Sequence, residues 1–347
     1  MAHEAVEHAF CVTGQHRQML DQVLEVFKLK PDFDLDIMRH GQTLDQVVSA
    51  TLLGLGDIIL NWRPDWIVVQ GDTSTAFAAA LAAYHHRVKV AHVEAGLRTG
   101  NLYSPWPEEG NRRLISQLAG AHFPPTPQSA DNLRREGVDE STILMTGNTV
   151  IDALHWVTEL MAAPEEADIL DGQFDFLDAD KRLILVTGHR RENFDGGLEQ
   201  TCQALAALAA RGDVEIIYPV HLNPNVQKTV RKVLKDAAAV HLVEPVSYKP
   251  FVYLMNRAHV IITDSGGVQE EAPGLGKPVL VTRETTERPE AIESGAARLV
   301  GTSKTVLVDA VNQLLDDPAA YAVMAKAKNP FGDGHAAHRI ISQLVKG

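Results

Sequence analysis

Cysteine is nearly absent: Cys11 and Cys202 are all the chain holds. Two cysteines cannot build a disulfide framework, and no zinc-ligand spacing surrounds them. A reducing, cytoplasmic setting is the expectation, with no metal site. Basic residues are in deficit, with 32 Lys and Arg against 45 Asp and Glu and a formal net charge of −13. Such a surface repels nucleic acid and anionic membranes at long range, so neither is an expected partner. It leaves room for one small anion held by local cations. Long apolar runs are missing too. The longest, residues 76–84, falls far short of the roughly 20 residues of a membrane span. The opening MAHEAVEHAF has no basic region followed by an apolar core, so no signal peptide is read there.

What is present is ordinary globular material. At 347 residues, 45% hydrophobic and 22% charged, the chain has enough for two domains with full cores. Short runs at 66–69, 88–93, 183–186, 215–220, 260–263 and 278–281 are predominantly apolar rather than strictly alternating. Strands buried on both faces of a parallel sheet read this way. Helical patterns lie between them, and alternating strand and helix is the α/β signature. Residues 162–180 break the rhythm with an acidic, proline-containing stretch. The reading is a helix end plus a linker. It gives an N-terminal Rossmann-like domain at 1–162, a second doubly wound domain at 181–330, and a terminal segment at 331–347 packing back toward the first. The two domains are expected to face a cleft. Ligands of open α/β sheets gather at the carboxyl ends of the strands, so the loops there carry the argument.

In the first half, Gly71-Asp72-Thr73-Ser74 follows a strand, and Thr73 or Ser74 suits a helix cap. Glu94 follows the next strand. It is costly there unless paired, with Arg98 the bland partner, or used as an acid or base. The stiff loop YSPWPEEGNR places Glu108 four residues before Arg112, on one helix face. In the second half, Gly188-His189-Arg190-Arg191 is a local cationic cluster in an acidic chain. His221 is weak evidence by itself, and Asn223-Pro224 suits a turn into a helix. The strongest signal is Asp264-Ser265-Gly266-Gly267 opening a helix. Its backbone amides can approach a phosphate at the positive helix end. Glu271, one turn on, suits a ribose diol, and Arg288 in a later loop suits a phosphate. A carboxylate set in one half and a diphosphate–ribose platform in the other describe an enzyme acting on a nucleotide-sugar.

The motifs QGDTST, HVEAGLRTG, YSPWPEEGNR, TGNTVIDAL, VTGHRREN, PVHLNPNV, TDSGGVQEEAPGLGKPVLV and TTERPEA run in order along the chain. From about Cys11 onward it resembles the bacterial non-hydrolysing UDP-N-acetylglucosamine 2-epimerases. The resemblance implies the glycosyltransferase-B-like fold and a homodimer. It implies interconversion of UDP-GlcNAc and UDP-ManNAc, through elimination of UDP to a 2-acetamidoglucal and re-addition, with no nicotinamide or other cofactor. It places the catalytic residues at Asp72, Glu94, Glu108, Arg112 and His189. It places substrate contacts at Phe251, Ser265, Gly266, Gly267, Glu271 and Arg288. A second UDP-GlcNAc, acting as activator, would meet Gln15, His16, Gln18, Arg190 and His221.

Two departures from the family pattern stand out. Family members open with a strand and a turn reading roughly GTRPE, which carries a cation used at the active site. This chain starts around the family's second strand, one β–α unit later, which implies reduced activity. Val246 replaces a glutamine often found near the uracil. Two other readings follow: a hydrolysing epimerase that releases ManNAc and UDP, or a truncated UDP-sugar-binding protein without turnover. A glycosyltransferase of the same fold leaves Asp72, Glu94 and Glu108 unexplained.

Overall fold

The computed structural model describes residues 6–15, 17–188 and 196–346, with the side chains of Gln18 and Met19 outside that description. The chain divides into two compact units, Met1–Asp152 with Phe331–Gly347, and Ala153–Pro330. Every paired strand among the described residues is parallel. The fold class is α/β, as the alternating pattern predicts.

The unit Ala153–Pro330 is built on a six-stranded sheet. Its order is Ala297–Leu299, Val279–Val281, Val260–Thr263, Arg182–Thr187, Val214–Pro219, Val240–Val243. The chain enters at Arg182–Thr187, winds outward to Val240–Val243, then returns to Val260–Thr263 and winds the other way. The direction reverses between Arg182–Thr187 and Val260–Thr263, which is where sheets of this kind collect ligands. Val260–Thr263 and Val279–Val281 are buried along their whole length, which is why they read as unbroken apolar runs. Leu205, Leu208, Val226, Val230, Leu307 and Val311 from the covering helices pack against Ile184, Ile216 and Tyr218. Each such side chain contributes roughly 1.5–3 kcal/mol of transfer free energy.

The stretch expected to be a helix end and linker instead holds a helix, Pro164–Gln173, with Pro164 in its first turn. Two of its four acidic residues are partnered: Lys249 Nζ lies 2.6 Å from Glu166, and the Tyr253 hydroxyl donates to Asp171 at 2.6 Å. Leu170, Phe174 and Leu177 are buried, and the Phe174 ring stacks on Tyr253. The acidic composition reads as a linker because the donors that meet Glu166 and Asp171 lie on the distant helix Tyr248–Arg257.

The other unit carries two sheets among its described residues. One has the order Trp66–Gln70, Lys89–Val93, Ala121–Phe123; the other pairs Cys11–Val12 with Phe33–Asp34. Trp66–Gln70 is therefore an edge strand among the described residues, and Val68 is 52% exposed. Helix Leu44–Trp62 opens on a capping box, in which Thr43 and Gln46 satisfy each other's free backbone amides. Val47, Thr51, Leu55 and Ile59 form its buried stripe. By length and mean hydropathy it is apolar enough to cross a membrane, with 28% of the apolar window buried. Counting uninterrupted apolar residues misses it, because Asp45, Gln46, Ser49, Thr51 and Asp57 break the run. The terminal helix Ala336–Leu344 packs in this unit through Ile340, beside Val93 and Phe123. Asp152 accepts its first amides, from Ala336 at 3.1 Å and Ala337 at 2.9 Å.

Candidate active site

In the first unit, two strand ends meet. Gly71 follows Trp66–Gln70, and its amide donates to the Val93 carbonyl at 3.0 Å. Glu94 follows Lys89–Val93 with φ +61, a left-handed conformation unusual for a side chain larger than glycine. Backbone strain of this kind costs about 1–3 kcal/mol and concentrates at functional sites. A Cβ added at Gly71 would stand 3.5 Å from Glu94 Oε2, so Glu94 lies against the Gly71-Asp72 turn. Behind it His92 is buried, with Nε2 2.8 Å from the Gly71 carbonyl. Burial pushes the His92 pKa down to about 4, so the ring is neutral and its Nε2–H donates.

Asp72 meets Arg112 Nη2 at 2.6 Å, and its carbonyl accepts from Asn111 Nδ2 at 2.9 Å. Both partners come from helix Glu108–Leu118. The expected Glu108–Arg112 pair does not form. Arg112 is buried and turns toward Asp72 and toward Glu109, 3.4 Å away. Fully buried Glu109 attracts a guanidinium more strongly than half-exposed Glu108 does. Glu108 has no hydrogen bond or ion pair to the described residues. Arg98 likewise leaves Glu94 and pairs with Glu136 at 2.8 Å and with Ser116 Oγ at 3.0 Å. Thr73 is the cap of helix Ser74–His85, accepting from the Ala76 amide at 3.1 Å. Gln15 accepts from the Thr75 hydroxyl at 3.0 Å, which places it beside that same turn.

In the second unit, Ser265 precedes helix Gly266–Gly274, which follows the strand at the sheet's reversal. A Cβ at Gly266 would stand 3.9 Å from Arg288 Cζ. The guanidinium thus lies over the amides of the first turn, where an anion is favoured by both. Arg288 is held by Glu270, through a hydrogen bond from Nε to Oε1. Glu271 is buried rather than solvated, and accepts from the Tyr248 hydroxyl at 2.5 Å. Burial pushes its pKa up to about 7, partly offset by that hydrogen bond. Half-buried Phe251 sits one turn after Tyr248 on helix Tyr248–Arg257. Exposed His221 accepts from the Asn223 amide at 3.1 Å, and Asn223 caps helix Pro224–Leu234. His16, His189, Arg190 and the Gln18 side chain lie outside the described residues.

Among the described residues, no group of three or more His, Cys, Asp and Glu could hold a metal ion. The second unit can bind a phosphate-bearing group and offer a buried acceptor to hydroxyls. The first can present carboxylates with an arginine between two of them. Sequence reasoning missed Glu109, Glu270 and Tyr248. Glu109 was findable, since it lies three residues before Arg112 and four before Arg113, on one helix face. Tyr248 was not, because the residue it touches is 23 positions away.

A family model described as UDP-N-acetylglucosamine 2-epimerase matches residues 1–345. The UDP-N-acetylglucosamine 2-epimerase of Yersinia pestis is 55% identical over 343 residues, 98% of this chain and 91% of that protein. That of Escherichia coli (strain K12) is 54% identical over 340 residues, 97% of this chain and 90% of that protein. Among solved structures, UDP-GlcNAc 2-epimerase from Neisseria meningitidis bound to UDP-GlcNAc superposes with a TM-score of 0.90 at 45% identity, covering 99% of this chain and 93% of that one. With matches of this extent and identity, the chain belongs to the UDP-N-acetylglucosamine 2-epimerase family.

Proposed function

We propose that the chain interconverts UDP-N-acetylglucosamine and UDP-N-acetylmannosamine by inversion at C2, without net hydrolysis. The observation that carries this is that helix Gly266–Gly274 has Arg288 over its first turn at Gly266 and also carries the buried Glu271, which accepts from Tyr248. One group of residues then takes the diphosphate and the ribose of a nucleoside diphosphate. Phe251 offers a face for the base.

The C2 proton has no adjacent carbonyl to acidify it, so its loss must accompany cleavage of the C1–O bond. That cleavage sends an electron pair onto the departing UDP, where cations and helix amides stabilise it. The proton passes to a carboxylate of the Asp72, Glu94 and Glu108 set, leaving an enzyme-bound 2-acetamidoglucal. Reprotonation on the opposite face of C2, with return of the UDP oxygen to C1, completes the inversion. Glu108 and Glu94 suit proton transfer, Asp72 is steadied by Arg112, and His189 is assigned to the leaving group. We further assign Gln15, His16, Gln18, Arg190 and His221 to an activating second UDP-GlcNAc, in a cytoplasmic homodimer. The bond from Thr75 to Gln15, close to Asp72 in the chain, supports that assignment.

Proton NMR with UDP-GlcNAc in D2O tests the reaction. The expected result is UDP-ManNAc carrying deuterium at C2. Free ManNAc with stoichiometric UDP would replace this reading by a hydrolysing one. UDP binding without exchange at C2 would replace it by a binding protein.

A further inference from the structure

Two glutamates stand side by side at the start of helix Glu108–Leu118, and the structure treats them in opposite ways. Glu108 is unengaged among the described residues, whereas Glu109 is 0% exposed. Glu109 Oε2 accepts from the Thr99 amide at 3.0 Å. Its Oε1 accepts from the Gly100 amide at 3.3 Å and from Arg113 Nε at 3.0 Å. Arg112 Nη1 lies 3.4 Å from Oε2. Burial alone would raise the Glu109 pKa. The Thr99 amide and the two arginines outweigh burial and hold it below the usual carboxylate range. A carboxylate this fully engaged is ionised and has no room to carry a proton.

Its partners are informative. Thr99 and Gly100 begin the loop that leads through two cis prolines, Pro105 and Pro107, to Glu108. The Thr99 hydroxyl in turn donates to the Ser104 carbonyl at 2.6 Å, closing the loop on itself. Arg112 is the residue that grips Asp72 at 2.6 Å. One buried carboxylate thus touches the base of the loop that delivers Glu108 and the arginine that holds Asp72.

We propose that Glu109 is a positioning residue for the reaction, fixing Asp72 through Arg112 and Glu108 through the amides of Thr99 and Gly100. This rests on the epimerase reading for its effect on rate, but the clamp itself is independent of that reading. The chemical reason is donor count. Glu109 faces only donors, so an isosteric glutamine must point its NH2 at a backbone N–H or a guanidinium. One corner of the clamp opens while side-chain volume is kept.

The test compares wild type with Glu109→Gln and, as control, Arg113→Gln. Arg113 also binds Glu109, but it is 41% exposed and water can replace it. For Glu109→Gln, kcat should fall roughly 10- to 100-fold, the cost of misplacing reacting groups by about an ångström. KM and calorimetric UDP binding should stay within about three-fold, because the nucleotide contacts are elsewhere. Deuterium uptake by the peptide spanning residues 97–107 should accelerate. Arg113→Gln should stay near wild type in all four readouts. A folded Glu109→Gln variant with near-normal kcat overturns the proposal. So does a loss of kcat matched by an equal loss of UDP-binding sites, which marks a plain folding defect. A wild type inert toward UDP-GlcNAc sinks the epimerase reading instead. Unchanged deuterium uptake in Glu109→Gln still overturns the clamp.

Discussion

At the scale of single residues, burial decides which carboxylates are chemically available. Glu109 and Glu271 are both buried, yet their proton affinities move in opposite directions. Glu109 is surrounded by donors and stays charged. Burial pushes the Glu271 pKa up to about 7; the single hydrogen bond from the Tyr248 hydroxyl opposes the rise and Glu270 adds like charge. The sign for stability follows. The folded state holds the Glu271 proton more tightly than the unfolded chain, so this stabilisation is present below about pH 4.5 and is lost as pH rises through 7. Between pH 5 and 7 the loss amounts to about 2 kcal/mol. Glu271→Gln removes the titration. Its unfolding free energy should therefore fall less than that of wild type over this range, read by urea denaturation at each pH. Parallel profiles would show that Glu271 titrates normally. The same substitution should weaken UDP binding about ten-fold by removing one charge-assisted acceptor.

At the scale of elements, close approach sets the demand for glycine. Helix Pro127–Arg135 docks against the turn after strand Lys89–Val93. Gly96 sits there with φ +88, and an added Cβ would stand 2.2 Å from the Ser129 carbonyl oxygen. Gly137, just past the other end of the helix, has φ +82 and nothing within 4 Å. Both positions require left-handed backbone, but only one is also crowded. Gly137→Ala should cost about 1 kcal/mol, the conformational penalty alone. Gly96→Ala should cost on the order of 3 kcal/mol or more, because strain and overlap add. Denaturant melts of both variants check the ordering. Equal costs would mean that the helix slides to relieve the contact.

At the scale of the whole molecule, the two compact units carry buried titratable groups of opposite sign. His92, in the first, has its pKa pushed down to about 4 by burial, with Gly71 holding its proton on Nε2. The unfolded chain binds a proton at this histidine below about 6.5, while the folded one resists until about 4. Stability from this group is therefore present above pH 6.5 and lost as pH falls toward 4, the reverse of Glu271. From pH 7 to 5 the loss is about 2 kcal/mol. His92→Gln should be less stable than wild type at pH 7, with the gap narrowing by about that amount at pH 5. Thermal scans at the two pH values give the comparison, and a constant gap would refute it.

Much of this was legible from residue order. Continuous apolar runs identified the central strands, because a strand covered on both faces has no polar side to show. Thr73 as a cap and Asn223 before Pro224 were readable, because capping is local chemistry between near neighbours. That Ser265-Gly266-Gly267 opens a helix after a strand was readable, because glycine and helix start each have a local signature. Tertiary structure alone decided the partners. Arg98 chose Glu136 over Glu94, and Arg112 chose Asp72 and Glu109 over Glu108. Residues 164–173 became a packed helix because Lys249 pairs with Glu166 and Tyr253 hydrogen-bonds Asp171 from a distant segment. Glu271 was expected at a ribose from its place in the helix, but its raised proton affinity comes from burial beside Tyr248. Spacing along a chain reveals which groups can share a face. Which of them meet, and whether water is present when they do, depends on segments far apart in sequence, and the strength of a charge interaction depends on that water.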